Sequence, residues 1–201
     1  LKISSKYIAL CGVAIGIVSL VLLFVPATTF AATVQAAKCT KNDVQCVIAF
    51  GNQAIVSRQN ALTTLSGKVT NQLNEGNIGS DQSAALQADI TTNQNNLASL
   101  KTKLDGDTDA QVARQDDKSI YTQLRIFAVV LPRDYRKLHI AIESVLEGKL
   151  KKLEPQLQQS ISKAPANEQA ELNTLYNDYQ QHLATTETQI DTAISLFPTL
   201  T

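Results

Sequence analysis

The chain has 201 residues, with 18 basic and 18 acidic side chains, no Trp and no Met. At about 150 residues per domain this allows one domain and a targeting segment, and an apolar content of 44% argues against disorder of the whole chain. Balanced charge without a basic run argues against nucleic acid and against a purely electrostatic membrane-surface role, while 5% aromatics leave a core of Leu, Ile, Val and Ala, which suits helices packed on helices.

Residues 1–36 read as an address or an anchor. Lys2 and Lys6 form a positive start, and residues 8–25 (IALCGVAIGIVSLVLLFV) are uncharged and mostly apolar. Pro26 ends the run, and Thr29-Phe30-Ala31 and Val34-Gln35-Ala36 both fit a small-x-small cleavage site. Cleavage gives a secreted chain. Retention gives an N-terminal membrane anchor, since residues 8–25 approach the roughly 20 residues that span a bilayer. Either way the positive start stays inside and residues 37–201 form a single domain outside. Cys11 lies within the apolar run rather than after it, so it reads as a small apolar residue and not as a lipidation site. With no Met in the chain, an alternative start codon or further residues ahead of Leu1 are expected.

Cys39 and Cys46 are the other two cysteines. In an exported chain a close pair is most simply a disulfide. A helix running from 39 to 46 would hold their Cα atoms roughly 10 Å apart, whereas a disulfide needs under about 7 Å. The helix therefore has to begin between them, with Thr40 or Asn42 as its cap. No C-x-x-C and no nearby His support a redox or metal role.

Four long amphipathic segments follow. Ile48, Ile55, Leu62 and Val69 recur every seven residues in the first, which ends in the glycine-containing stretch 74–80. Ser80 or Asp81 is the expected cap of the second, whose seam is Leu86, Ile90, Leu97, Leu100 and Leu104, with Asn93 on the same face. The third runs through Ile120, Leu124, Phe127 and Leu131, bends at Pro132 and resumes from Tyr135 to Ile161. Residues 126–131 (IFAVVL) resemble a short strand in composition but keep the helical spacing. The fourth carries Leu172, Leu175, Tyr179, Leu183, Ile190, Ile194 and Phe197, ending at Pro198. The expected fold is all-α: an elongated antiparallel bundle of four long helices, coiled-coil-like in its seams, after the N-terminal signal or anchor helix. Such seams close equally well within one chain or between two.

Catalytic patterns are missing. There is no G-x-S-x-G, no phosphate-binding glycine loop and no H-E-x-x-H. His139 and His182 stand about nine residues out of register across the last hairpin, roughly 13 Å, and cannot share an ion. Calcium is the single cofactor that the residues suggest. Asp105, Asp107, Asp109 and Asp116 occupy positions 1, 3, 5 and 12 of a loop between helices, where hard oxygen ligands are needed, and Val112 takes the apolar eighth place. Ala110 stands where that loop has Gly, and Asp116 where it has a bidentate Glu. Helix capping by the same acids is the alternative.

The densest apolar run, Ile120-Tyr-Thr-Gln-Leu-Arg-Ile-Phe-Ala-Val-Val-Leu-Pro132, either fills the centre of the bundle or awaits a protein partner, with Phe127, Val130, Leu131, Arg133 and Tyr135 as the contact. This block resembles a segment of predicted secreted helical proteins from candidate-phyla bacteria of the Saccharibacteria type. The signal peptide, the early Cys and the long flanking helices resemble them too. An Asp-Arg pair often follows the Pro segment in that group, where Ile140-Ala-Ile-Glu143 stands here. The resemblance implies a secreted bacterial helical protein and brings no functional residue with it. The residues specify no reaction. They point to a non-enzymatic extracytoplasmic spacer, adaptor or protein-binding module, or to a calcium-dependent version of one, with an enzyme of unknown class as the remaining alternative.

Overall fold

The computed structural model describes residues 39–196 apart from Lys41. The expected signal or anchor segment at 1–36, and Phe197 and Pro198 at the end of the last helix, lie outside the described residues. Within them the chain is an all-α bundle: α1 (Val44–Asn74), α2 (Ser80–Asp105), α3 (Ala110–Thr122), a π-helical turn (Ile126–Val130), α4 (Leu131–Lys151), α5 (Glu154–Ser162) and α6 (Ala166–Leu196). No helix among the described residues is long and apolar enough to cross a membrane.

α1 begins between the two cysteines, as their spacing requires, but its cap is Asp43 rather than Thr40 or Asn42. The Asp43 carboxylate accepts from the Cys46 amide at 2.9 Å. α1 ends where Gly76 takes φ +66°. The Gly76 amide bonds the Leu73 carbonyl and the Asn77 amide bonds that of Gln72, which satisfies the last carbonyls of the helix. α2 opens behind Gly79 instead of Ser80 or Asp81, and Gln82 reaches back to accept from the Gly79 amide at 2.9 Å.

α1 and α2 form the most extensive contact, and α3 lies against both. The seam residues Ile55, Leu62, Leu65, Val69, Ile90, Leu97 and Leu104 are at most 1% exposed. Gly51 lets α2 and α3 come close to α1, since a Cβ there would collide with the Leu104 side chain and stand 3.2 Å from the Asp117 carboxylate.

The third predicted segment is interrupted twice. Its first break lies at Gln123–Arg125, ahead of the expected bend at Pro132. Arg125 takes φ +45°, and the chain then makes a π turn closed by the Leu131 amide on the Ile126 carbonyl. Pro132 falls in the first turn of α4, where a missing N–H breaks nothing. The second break, at Lys152–Leu153, precedes Pro155 in the first turn of α5 for the same reason. α3, the π turn and α4 together run alongside α1, and α6 folds back on α4 and α5.

Candidate functional site

At the N-terminal end Cys39 and Cys46 are joined, with Cα atoms 5.6 Å apart. Arg114 on α3 donates to the Thr40 carbonyl at 2.9 Å and to that of Cys39 at 3.4 Å. The stapled turn is thus tied to the bundle by a guanidinium, and its backbone carbonyls are satisfied.

The aspartates of the α2–α3 loop take different partners. Asp105 accepts from the Asn52 amide at 2.6 Å and pairs with Lys101, and these contacts, Asn52 first, hold its carboxyl below the usual range. Asp109 caps α3, accepting from the amides of Gln111 at 2.8 Å and Val112 at 3.0 Å. Asp116 is 3% exposed and takes the Lys103 ammonium at 2.7 Å. Asp107 faces Asp116. Desolvation first, then the Asp116 charge, pushes its carboxyl up. One oxygen of each of these two carboxylates is shut off from solvent without a hydrogen-bond partner. The four acids do not converge on one point, and among the described residues no group of three or more His, Cys, Asp or Glu could hold a metal ion.

The apolar block around Pro132 faces inward. Val130 and Leu131 are buried in the core. Phe127 and Tyr121 lie under the Arg58 guanidinium of α1, with ring centres 4.8 Å and 4.6 Å away. Arg58 is 7% exposed and donates to the Ala54 carbonyl at 2.9 Å. Desolvation lowers its pKa, opposed by Tyr121 and by Asp117, whose own carboxyl burial pushes up. Tyr135 lies under the Lys68 ammonium at 4.9 Å. Arg133 donates to the fully buried Asp134 at 2.8 Å, and Asp89 of α2 accepts from Lys137 at 2.7 Å. All five residues expected at a partner contact therefore take part in contacts within the chain. Arg58 and Asp134 escaped the sequence reading. The available signal for Arg58 was a charge between Ile55 and Leu62, on the buried face of an otherwise apolar stripe.

Apolar surface is open instead along the C-terminal hairpin. Tyr176, Leu183 and Ile190 bury the inner face of α6. The Tyr179 hydroxyl donates to the Leu150 carbonyl at 2.7 Å, and Lys151 bridges Glu147 at 2.6 Å and Glu187 at 2.8 Å. Leu146, Leu153, Leu175 and Leu196 are 37–56% exposed. An open groove of about 270 Å³ runs between α2, α4 and the end of α6, walled by Ala85, Leu86, Ile140, Ala141 and Ile194, with Asp89 and Lys137 beside them. His139 and His182 are both exposed on their helices.

Compared with known proteins, the chain matches no family model, no curated protein and no solved structure.

Proposed function

We propose that this chain is a non-enzymatic extracytoplasmic helical bundle that acts as a surface spacer, adaptor or protein-binding module. The observation that carries this reading is the exposed leucine set of the C-terminal hairpin: Leu146, Leu153 and Leu175. Apolar side chains in such number on a thinly packed hairpin favour docking of a second protein surface. The Cys39–Cys46 bond agrees with an oxidising compartment, and the layout of residues 1–36 supplies the export or anchoring step. The resemblance of residues 120–132 to secreted bacterial proteins supports the same reading.

Two measurements test it. The intact mass of protein from culture supernatant and from membranes should show either a species starting near Ala32 or Ala37 or one keeping residues 1–36. Both should be lighter than the reduced chain by two hydrogens. A photo-crosslinker at Leu153 on whole cells should capture a defined protein, and Leu175→Glu should abolish the capture. A chain recovered from the cytoplasm with free thiols would remove the reading.

Calcium dependence is the second reading. It is favoured by the unpartnered, solvent-inaccessible oxygens of Asp107 and Asp116, which a hard cation would satisfy. Millimolar Ca²⁺ should then raise the melting temperature, and Asp107→Ala should abolish the rise. An unchanged melting temperature excludes it.

A further inference from the structure

The two arms of the C-terminal hairpin carry opposite charge. From Lys149 to Lys163 the chain has four lysines and one acid, whereas α6 has five acids and no Lys or Arg. Inside the chain Lys151 joins the arms by its pair with Glu187, and Lys149 donates to the Gly76 carbonyl. Lys152 and Lys163 on one arm and Glu168, Glu171 and Asp178 on the other are exposed, and none of them enters an ion pair among the described residues. The exposed leucines share one flank of this hairpin. Leu146 and Leu153 stand one seven-residue repeat apart. The Tyr179 hydroxyl on the Leu150 carbonyl puts Leu175 within about a turn of the level of Leu153. By helical spacing the three lie on the side of the hairpin away from the Lys151–Glu187 pair. Their exposures, in order of sequence, are 37%, 44% and 43%.

We propose that the occupant of this stripe is a second copy of the chain, laid flank to flank with its α6 on the α4–α5 arm of the first. The proposal names the partner in the protein-binding reading and rests on that reading. Two copies can meet through one flank about a two-fold axis that runs across the hairpin or along it. The first axis sets α6 on α6, acid against acid, and one lysine arm on the other. The second sets each acidic arm on the basic arm of the other copy, and opposed like charges select between the two. The second axis also keeps levels matched. Leu153 of one copy meets Leu175 of the other, Asp178 comes within about two residues of the level of Lys152, and Glu168 within about three of Lys163. A partner of another sequence would have to bring one acidic and one basic arm at this spacing; this chain carries both.

The photo-crosslinker at Leu153 of the full chain on whole cells reads this directly when half of the copies carry a second tag. The expected product joins two differently tagged copies at twice the mass of the chain, with the new bond within about a turn of Leu175. Asp178→Lys alone and Lys152→Glu alone should each lower its yield several-fold by setting like charges face to face. Coexpression of the two variants should restore the yield, because each then meets the opposite charge. Far-UV circular dichroism of both variants should match that of the parent chain, since both positions are exposed. A bond confined to one chain, a product of two copies that ignores both charge changes, or a variant pair that fails to rescue overturns the proposal. An adduct with a different protein also overturns it but leaves the binding reading standing, whereas no adduct at all removes that reading as well.

Discussion

The two ends of the bundle are held by different physics. Around α1 and α2, side chains meet neighbours on every side, so Leu62, Leu65, Leu97 and Leu104 are completely buried. α6 has neighbours on one side, α4 and α5, and its innermost residues keep 6–8% exposure. Charge fills part of the difference. α6 carries Glu168, Glu171, Asp178, Glu187 and Asp191 with no Lys or Arg, and Lys151 at the end of α4 reaches Glu187 on it at 2.8 Å. The first region packs its apolar seam fully and holds Arg58, Asp116 and Asp134 buried at its edges with partners. The second is a half-closed layer steadied by exposed ion pairs, which are screened at physiological ionic strength. The α1–α3 region is thus the more completely packed and the hairpin the more open.

Core truncation should give the largest contrast. Leu62→Ala and Leu97→Ala each remove a fully buried side chain and should cost about 3–4 kcal/mol. Leu183→Ala, at the thinner seam, should cost about 1–2 kcal/mol because solvent already reaches part of it. Urea unfolding of the three variants checks this, and equal losses would erase the distinction between the two regions. Reduction of Cys39–Cys46 comes next. Freeing so short a loop should cost about 2 kcal/mol, all of it from the α1–α3 end. Arg125→Gly acts in the opposite direction. A non-glycine residue at φ +45° is strained by about 1–2 kcal/mol, part of which the greater freedom of glycine in the unfolded chain cancels. The net gain should be about 0.5 kcal/mol, read from the urea midpoint.

These regions also differ in how openly the sequence declares them. The helices of α1 and α2 follow from apolar residues every seven positions, and their turn follows from Gly76 and Gly79, so register and core were readable together, although Asp43 and Gly79 took the caps expected at neighbouring residues. The disulfide was readable because a helix geometry forbids a bond across seven residues unless its start lies inside them. The break at Arg125 was hidden: Ile120, Leu124, Phe127 and Leu131 keep unbroken helical spacing through it, and the residue at positive φ is an arginine rather than a glycine. Pro132 drew the bend to itself although a proline in a first turn breaks no bond. Pro155 carried the signal for the second break, but the leucines around it keep helical spacing across the turn. The aspartates show the limit of local patterns. Their spacing fits a calcium loop, but Asn52 and Lys103, which claim Asp105 and Asp116, stand outside that spacing. Arg58 is similar, since the rings that receive it are more than sixty positions downstream.

The smallest effect separates the two regions by pH. Around α1–α4, Asp107 in the α2–α3 loop and Asp117 and Asp134 on the helices have carboxyls raised mainly by desolvation. A folded-state pKa above the unfolded value of about 4 means the folded chain binds the extra proton, so this stabilisation is present below pH 4 and is lost as pH rises through the raised value. Asp134→Asn should flatten that acid-side slope while the far-UV spectrum stays unchanged. In the hairpin the groups concerned are Lys151, raised first by its bond to Glu147 and then by Glu187, and Tyr179, raised first by desolvation. Lys151 contributes fully below its unfolded pKa of about 10.4 and loses that contribution as pH climbs through the raised value. Tyr179 moves the same way, because its hydroxyl must keep its proton to donate to Leu150. Lys103, raised first by its hydrogen bond to Asp116, and Tyr121, raised first by desolvation, move the same way in α2 and α3. Hydrogen exchange should therefore show α6 loosening first on the alkaline side, above about pH 10, because the fully buried seam still holds α1 and α2. Lys151→Ala should remove most of that alkaline step and cause a small loss at neutral pH that vanishes in molar salt. If α6 and α1 instead opened together at high pH, the hairpin would be as firmly built as the core, and the exposed leucines would need an explanation other than a docking surface.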